Sequence, residues 1–242
     1  MTTSLCDERF VSISENLKRI REDINEAAIK SGRTPDDVRL MAVTKTVDVK
    51  YINYAISDCG IDLIGENKVQ EFLLKKDELK LDGVEKHLIG HLQSNKVKKI
   101  VPLVDMIQSV DSLKLAKVIS EEAGKINKTM EVLLEINIGD EDSKTGFDKA
   151  AFIESLYEIS ELPFIKVKGL MTIPPICDTP ADAESYFALM SDFYNEIKAG
   201  NYANFDFNIL SMGMSGDYKE AIIHGSNLVR IGSSIFGARI YK

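Results

Sequence analysis

The sequence predicts a single-domain α/β protein in which eight parallel strands, each followed by a helix, close into a (β/α)₈ barrel. Three observations support this prediction. Short runs rich in Val, Ile and Leu recur along the 242 residues, and a longer stretch with helical spacing of apolar residues follows each run. Polar residues stand at the carboxyl end of nearly every predicted strand, and in a barrel these ends converge on one site. A Gly-x-Gly-x-x-Gly motif is missing after the first strand, which weakens the competing open doubly wound sheet.

The predicted elements alternate along the chain. An extra helix over 9–31 precedes the first strand, and Gly32 is placed to end it because glycine readily takes the left-handed conformation that follows many helices. Asp48, Asp111 and Asp182 stand where they can cap or begin later helices. The strands are predicted at 39–45, 62–65, 86–90, 105–109, 130–137, 165–172, 205–211 and 228–232, and the main helices between them at 48–57, 111–123, 147–160 and 182–199.

Gly124 is placed to end the helix predicted at 111–123. The alternation of strands and helices continues almost to Lys242. Because no linker rich in Pro, Gly or Ser divides the chain, one domain over 1–242 is expected.

Composition and charge exclude several classes of protein. With 44% hydrophobic and 28% charged residues, the chain can bury a large core. The sequence contains neither an apolar run of about 18 residues nor a signal-peptide pattern, so a cytoplasmic protein without membrane association is expected. The formal net charge of −8 argues against broad binding to nucleic acid. Cys6, Cys59 and Cys177 are widely separated, which predicts reduced thiols.

The first predicted strand ends on Lys45 after a mostly apolar run. A lysine at a barrel mouth with apolar walls is easier to deprotonate, which makes it a candidate for a Schiff base with a carbonyl ligand. The alternative is a lysine that points into water. After the second strand, Asn67 could bind a ligand or cap a helix, and Glu66 could pair with Lys45 or another cation.

Other polar positions lie near the predicted strand ends. His87 falls within the third strand and His91 just beyond it, but no third ligand has a metal-binding spacing, so packed or hydrogen-bonded histidines are expected. Lys144, in the loop after the fifth strand, either approaches an anionic ligand or is solvated. Met171 and Thr172 end the sixth strand and could line a ligand ring.

The last quarter of the chain carries the most informative pattern. The segment 211–216, SMGMSG, follows the seventh strand and opens a helix, and Gly232-Ser233 finishes the eighth. Small residues allow backbone N–H groups to approach a phosphate, and hydroxyls add donors. The loops after the seventh and eighth strands are a recurrent phosphate site of barrels, so a phosphate ligand is expected here.

Arg230 shares strand parity with Gly232 and is therefore expected to point into the barrel. A buried arginine needs an acceptor, and its guanidinium can only donate hydrogen bonds. Opposite a pyridine nitrogen, it would stabilise the unprotonated ring and make that ring a poor electron sink.

Six motifs in order resemble those of the pyridoxal phosphate homeostasis proteins, formerly described as proline synthase co-transcribed proteins, along nearly the whole chain. The motifs are AVTK around Lys45, GENKVQE from Gly65, HLIGHLQSNK from His87, GLMTIP from Gly169, LSMGMSGDYKEAI from Leu210 and VRIGSSIFGAR from Val229.

The resemblance implies a TIM barrel like the N-terminal domain of alanine racemase, with pyridoxal 5′-phosphate as cofactor. It implies that Lys45 forms the Schiff base, that Asn67 lines the ring and that Arg230 faces the pyridine nitrogen. The residues that it implies around the phosphate are Ser215, Gly232 and Ser233, with Met212 nearby.

Two positions depart from the family pattern. Lys86 stands where tryptophan is common, and Ser233 stands where threonine is common. Neither change removes a donor that the cofactor needs.

The resemblance implies a non-catalytic cofactor-binding protein in vitamin B6 homeostasis and amino- and keto-acid balance, with no catalytic residue and no metal. Alanine racemase needs a second domain that this chain is expected to lack, and a monomer is therefore expected. A small PLP-dependent amino-acid racemase is the first alternative, and a lysine-dependent aldolase acting on a sugar phosphate is the second. Storage of the cofactor and its delivery to PLP-dependent apoenzymes both stay open.

Overall fold

The computed structural model describes residues 8–139, 145–177 and 179–237. Its strands form one closed parallel barrel in chain order, which confirms the predicted fold class. Lys144 and Cys6 lie outside the described residues. The strands are β1 (Arg39–Val43), β2 (Leu63–Glu66), β3 (Glu85–Leu88), β4 (Met106–Val110), β5 (Met130–Glu135), β6 (Ile165–Met171), β7 (Phe205–Ser211) and β8 (Leu228–Ile231).

The helices of the described ranges lie before the first strand, between the strands and, for the last of them, after β8, and the predicted extra helix at the N-terminus is present. None of these helices is both long and apolar enough to span a bilayer. They are α1 (Glu8–Lys30), α2 (Val49–Ser57), α3 (Val69–Lys75), α4 (Val97–Ile100), α5 (Leu113–Gly124), α6 (Lys149–Ser160), α7 (Pro180–Lys198), α8 (Tyr218–Ile223) and α9 (Ser233–Phe236).

The predicted helix signals are mostly where the structure uses them. Asp48 caps α2 by accepting from the backbone N–H of Lys50, and Asp182 stands in the capping box of α7. Gly32 ends α1 with a φ of 75°. The prediction for Asp111 was wrong, because Ser112 is the N-cap of α5 and accepts from the third N–H of the helix.

Three strands, β1, β3 and β5, end two residues earlier than predicted. β1 ends at Val43, so Lys45 follows the strand instead of ending it. β5 ends at Glu135 because the next residue, Ile136, forms an isolated bridge with Phe147 from beyond the following loop.

The extra helix α1 covers one side of the barrel. It packs chiefly against α8 and α9, the two helices that flank β8. Arg9 and Asn16 donate to the backbone oxygens of Phe236 and Ile235, so α1 also fixes α9 by hydrogen bonds. Its apolar residues recur at the three- and four-residue spacing of a buried helical face. Those that are buried are Ile13, Leu17, Ile20, Ile24, Ala27 and Ala28.

Candidate functional site

Lys45 lies two residues beyond β1, at the carboxyl end of the barrel. β1 is hydrogen-bonded to β2 on one side and to β8 on the other. Asn67 follows the first of these neighbours and Gly232 follows the second, so the three residues share one sector of the rim. The Lys45 side chain is half-buried there.

The residue after Lys45 has an unusual backbone. Thr46 has a φ of 62°, a region that β-branched residues rarely adopt. Its N–H donates to Glu71 Oε1 at 2.5 Å, and Lys75 Nζ donates to the same oxygen at 2.5 Å and to the backbone oxygen of Thr44 at 2.9 Å. Such strained residues cluster at functional sites, where surrounding bonds hold them. Sequence reasoning missed this turn because threonine carries no signal for a positive φ.

Glu66 ties the ends of β1 and β2 together. Its carboxylate accepts from Thr44 Oγ1 at 3.1 Å and from the backbone N–H of Asn67 at 2.8 Å. A cation partner was predicted for Glu66, and Lys75 Nζ lies 3.5 Å from its Oε2. Burial raises the pKa of the Glu66 carboxyl, and Lys75 opposes that shift.

Asn67 presents a buried acceptor. Its Oδ1 is buried and has no hydrogen-bond partner among the described residues. The helix-cap alternative does not hold, because the N-cap of α3 is Lys68. A side chain at Gly90 would place a Cβ 2.3 Å from the Asn67 backbone oxygen, so only glycine permits this close approach. An unpaired buried amide oxygen is costly, and a bound ligand could satisfy it.

The loops after β7 and β8 converge on one hydroxyl. Ser215 Oγ accepts from the backbone N–H groups of Gly232 at 3.2 Å and Ser234 at 3.3 Å, and Ser234 Oγ donates to the Ser215 backbone oxygen at 3.2 Å. Gly213, with a φ of 91°, allows the first loop to turn tightly above α8. Backbone donors aimed at one point are the arrangement that binds phosphate oxygens.

The other two predicted phosphate residues differ in position. Ser233 is exposed at the start of α9, beside Gly232 and Ser234. Met212 is fully buried in the apolar cluster between the barrel and its helices, so its side chain packs in the core.

Arg230 points into the barrel. Its side chain is buried, and desolvation lowers the pKa of its guanidinium to about 10. Nη1 donates to Ser211 Oγ at 2.7 Å, and Nη2 donates to the backbone oxygen of Thr172 at 2.8 Å. Two of its five N–H donors are thus used within the described contacts, which leaves donors for a ligand.

A carboxyl that sequence reasoning missed shares the interior with Arg230. Glu135, the last residue of β5, accepts from Thr145 Oγ1 at 2.8 Å through Oε1. Its Oε2 is buried and makes no hydrogen bond within the described ranges. Desolvation raises the pKa of this carboxyl, whereas attraction to Arg230 and His91 lowers it by less.

His87 and His91 are hydrogen-bonded to neighbouring side chains. His87 lies within β3 as predicted, and its ring bonds Gln108 and Glu85. His91 Nδ1 lies 2.9 Å from Asp111 Oδ2. Over 8–139, 145–177 and 179–237, no three His, Cys, Asp or Glu side chains are grouped to hold a metal ion. Within the same ranges, Cys59 and Cys177 are free thiols.

The donor set fits the cofactor that the sequence resemblance implies. Lys45 offers an amine, the Ser215 loops offer convergent N–H donors, and Arg230 offers a buried cation. A ligand atom that donates a hydrogen bond to Asn67 Oδ1 would satisfy this buried acceptor, which has no partner among the described residues.

Two comparisons with known proteins match nearly the whole chain. A family model described as the alanine racemase N-terminal domain matches residues 15–240. The pyridoxal phosphate homeostasis protein of Aquifex aeolicus is 39% identical over 231 residues, which cover 94% of this chain and 98% of that protein.

Two solved structures extend the comparison. PipY of Synechococcus elongatus PCC7942, solved with PLP bound, has a TM-score of 0.81 and 33% identity, covering 93% of this chain and 100% of that one. The alanine racemase of Clostridium difficile 630 has a TM-score of 0.64 and 17% identity, covering 94% of this chain and 58% of that one, and shows the fold alone.

Proposed function

Because the chain belongs to the pyridoxal phosphate homeostasis protein family, we propose that it binds pyridoxal 5′-phosphate as a Schiff base on Lys45 and holds it without catalysing a reaction. In this role the protein lowers the free concentration of a reactive aldehyde and contributes to vitamin B6 homeostasis. The observation that carries the proposal is the convergence of one lysine, one buried arginine and two N–H-rich loops at the carboxyl end of the barrel.

The residues have separate roles in this proposal. The Lys45 amine would condense with the aldehyde and release water. The backbone N–H groups of Gly232 and Ser234, which donate to Ser215 Oγ in the protein without cofactor, would turn to the phosphate together with the hydroxyls of Ser215 and Ser233. The Asn67 amide lines the ring. Met212 supports the first loop from the core below it.

The position of Arg230 is compatible with a holding role. The cofactor, when bound, supplies a reactive aldehyde and an electron-withdrawing ring. A guanidinium remains protonated at neutral pH and offers only N–H donors, so it keeps a facing pyridine nitrogen unprotonated. An unprotonated ring is a weaker electron sink, so tight holding of the cofactor and weak catalysis are compatible.

Absorption spectroscopy tests the Schiff base. The protein mixed with pyridoxal 5′-phosphate should show the visible imine band, and Lys45→Ala should lose it. Lys68→Ala, which removes an exposed lysine after β2, is the matched control and should keep the band. A Lys45→Ala protein that retains an imine on another lysine would contradict the assignment.

Isotope exchange tests the absence of catalysis. The loaded protein in deuterium oxide should exchange the α-hydrogen of alanine no faster than free cofactor does. Exchange well above that rate would favour the racemase alternative.

The wider proposal is a cytoplasmic monomer whose residues 1–242 form one domain, with pyridoxal 5′-phosphate as its ligand. A transfer assay distinguishes storage from delivery. If the loaded protein activates a PLP-dependent apoenzyme faster than spontaneous release allows, delivery is supported; activation at the release rate supports storage.

A further inference from the structure

A continuous chain of hydrogen bonds crosses the barrel interior from Arg230. Arg230 Nη1 donates to Ser211 Oγ at 2.7 Å, and Ser211 Oγ donates to Gln108 Oε1 at 2.8 Å. Gln108 Nε2 lies 2.7 Å from His87 Nδ1, and His87 Nε2 lies 2.5 Å from Glu85 Oε1. The four residues from Arg230 to His87 are at most 3% exposed, so water does not compete for these bonds.

The chain links the two ends of the barrel. Arg230 lies near the carboxyl end of β8, whereas Glu85 is the first residue of β3 and lies at the opposite, N-terminal end. There the Glu85 side chain is 29% exposed, and its Oε2 accepts from Arg39 Nη2 at 2.6 Å. The His87 hydrogen bond, followed by the Arg39 guanidinium, holds the pKa of the Glu85 carboxyl down to about 2.

The groups at the two ends, a guanidinium and a carboxylate, fix the donor-to-acceptor direction of every hydrogen bond between them. A guanidinium only donates, so Ser211 Oγ must accept from Arg230 and must turn its own hydrogen toward Gln108. The Gln108 amide then has its oxygen toward Ser211 and its NH₂ toward His87 Nδ1. A carboxylate only accepts, so His87 Nε2 carries the ring proton and donates it to Glu85. Each donor meets one acceptor from Arg230 to Glu85.

We infer that Ser211, Gln108, His87 and Glu85 are positioning residues that hold the charged guanidinium of Arg230 in the orientation in which it meets the cofactor ring. The inference rests on the proposed function for the identity of the ligand. Bonds aligned in one direction polarise one another and specify one arrangement. The backbone oxygen of Thr172 fixes the second guanidinium nitrogen, so the group is held at two points.

The serine pair Ser211 and Ser120 provides a matched test. Ser211→Ala removes the acceptor next to Arg230 and leaves Gln108 Oε1 without its donor, whereas Ser120→Ala removes a buried hydroxyl in α5 that accepts from the backbone N–H of Phe164. Both substitutions delete one buried oxygen. We expect Ser211→Ala to weaken binding of pyridoxal 5′-phosphate about fivefold and to move the absorption maximum of the bound imine. Ser120→Ala should match the wild type in both measurements.

Nitrogen NMR of the protein without cofactor tests the direction of these hydrogen bonds independently. The protein has three histidines, which simplifies assignment. At pH 8, His87 should show the tautomer with the proton on Nε2. A proton on Nδ1, or equal binding and spectra in the two serine variants, would overturn the inference. Failure of the proposed function has a different signature, because the wild type itself would then form no imine.

Discussion

At the scale of single residues, the barrel interior keeps polar groups that a stable core alone would not need. Glu135 has one carboxyl oxygen bonded to Thr145 and the other buried without a hydrogen bond among the described residues. Burying an unsatisfied oxygen costs about 1–3 kcal/mol. Proteins accept such costs mainly at functional sites, where perturbed carboxyls cluster.

The substitution Glu135→Gln should therefore stabilise the protein without cofactor. Burial raises the pKa of Glu135 above its ordinary value of 4.5, so the folded state binds the proton more tightly and stability falls as pH rises from 4.5 through the raised value. The glutamine side chain carries no charge, yet its amide oxygen can still accept from Thr145. In chemical denaturation at pH 8, the variant should gain roughly 1 kcal/mol.

This gain should shrink below pH 4.5, where the wild-type carboxyl is protonated in both states. The exposed Glu154→Gln serves as the control and should show no such pH-dependent difference. A Glu135→Gln protein less stable than the wild type at pH 8 would mean that the lost attraction to Arg230, together with the unpaired amide N–H groups, outweighs the relief of desolvation.

Sequence reasoning finds the residues at strand ends better than those inside the barrel. Lys45 and Asn67 stand after apolar runs and are conspicuous there. Gln108 and Glu135 are polar residues within or at the end of such runs. Which of them point inward depends on strand register, and short buried strands without alternation do not reveal it.

At the scale of elements, the pairing of β6 depends on one glycine. Gly169 has a φ of 150° beside a register shift between β6 and β7, and an added Cβ would lie 1.8 Å from the Ile209 backbone oxygen. The bend allows β6 to end at Met171, next to Thr172, whose backbone oxygen binds Arg230. The site thus depends on an irregular strand.

The substitution Gly169→Ala should destabilise the fold by about 3 kcal/mol or more, because both the backbone conformation and the contact with Ile209 forbid a side chain. Gly83→Ala is the matched control: it has a φ of 73° but open space around the added Cβ, and should cost about 1 kcal/mol. Thermal unfolding monitored by circular dichroism separates the two. Equal decreases in stability of the two variants would show that the steric contact between an added Cβ at position 169 and Ile209 contributes little to the destabilisation.

The order and type of the elements follow from the sequence, and their last residues do not. The predicted first strand extends two residues too far because the turn at Thr46 is held by Glu71 of α3, a contact that local sequence does not encode. Likewise Ser112 takes the cap of α5, while Asp111 lies next to His91 of the neighbouring loop after β3. Tertiary contacts decide both boundaries.

At the scale of the whole molecule, closure of the sheet brings residues far apart in the chain into one site. Lys45 and Gly232 are separated by most of the sequence, yet β1 pairs with β8 and makes them neighbours at the rim. The helix α1 holds α9 in place from outside, which keeps the loop after β8 beside the loop after β7. The barrel could be predicted from the strand–helix rhythm, whereas the packing of α1 on α9 could not, because nothing local indicates its partner.

Reductive trapping identifies the lysine that carries the cofactor. The loaded protein is treated with borohydride, digested, and analysed by mass spectrometry for a pyridoxyl group on each lysine-containing peptide. We expect one modified position, Lys45. A pyridoxyl group on a different lysine, or none on any, would contradict it.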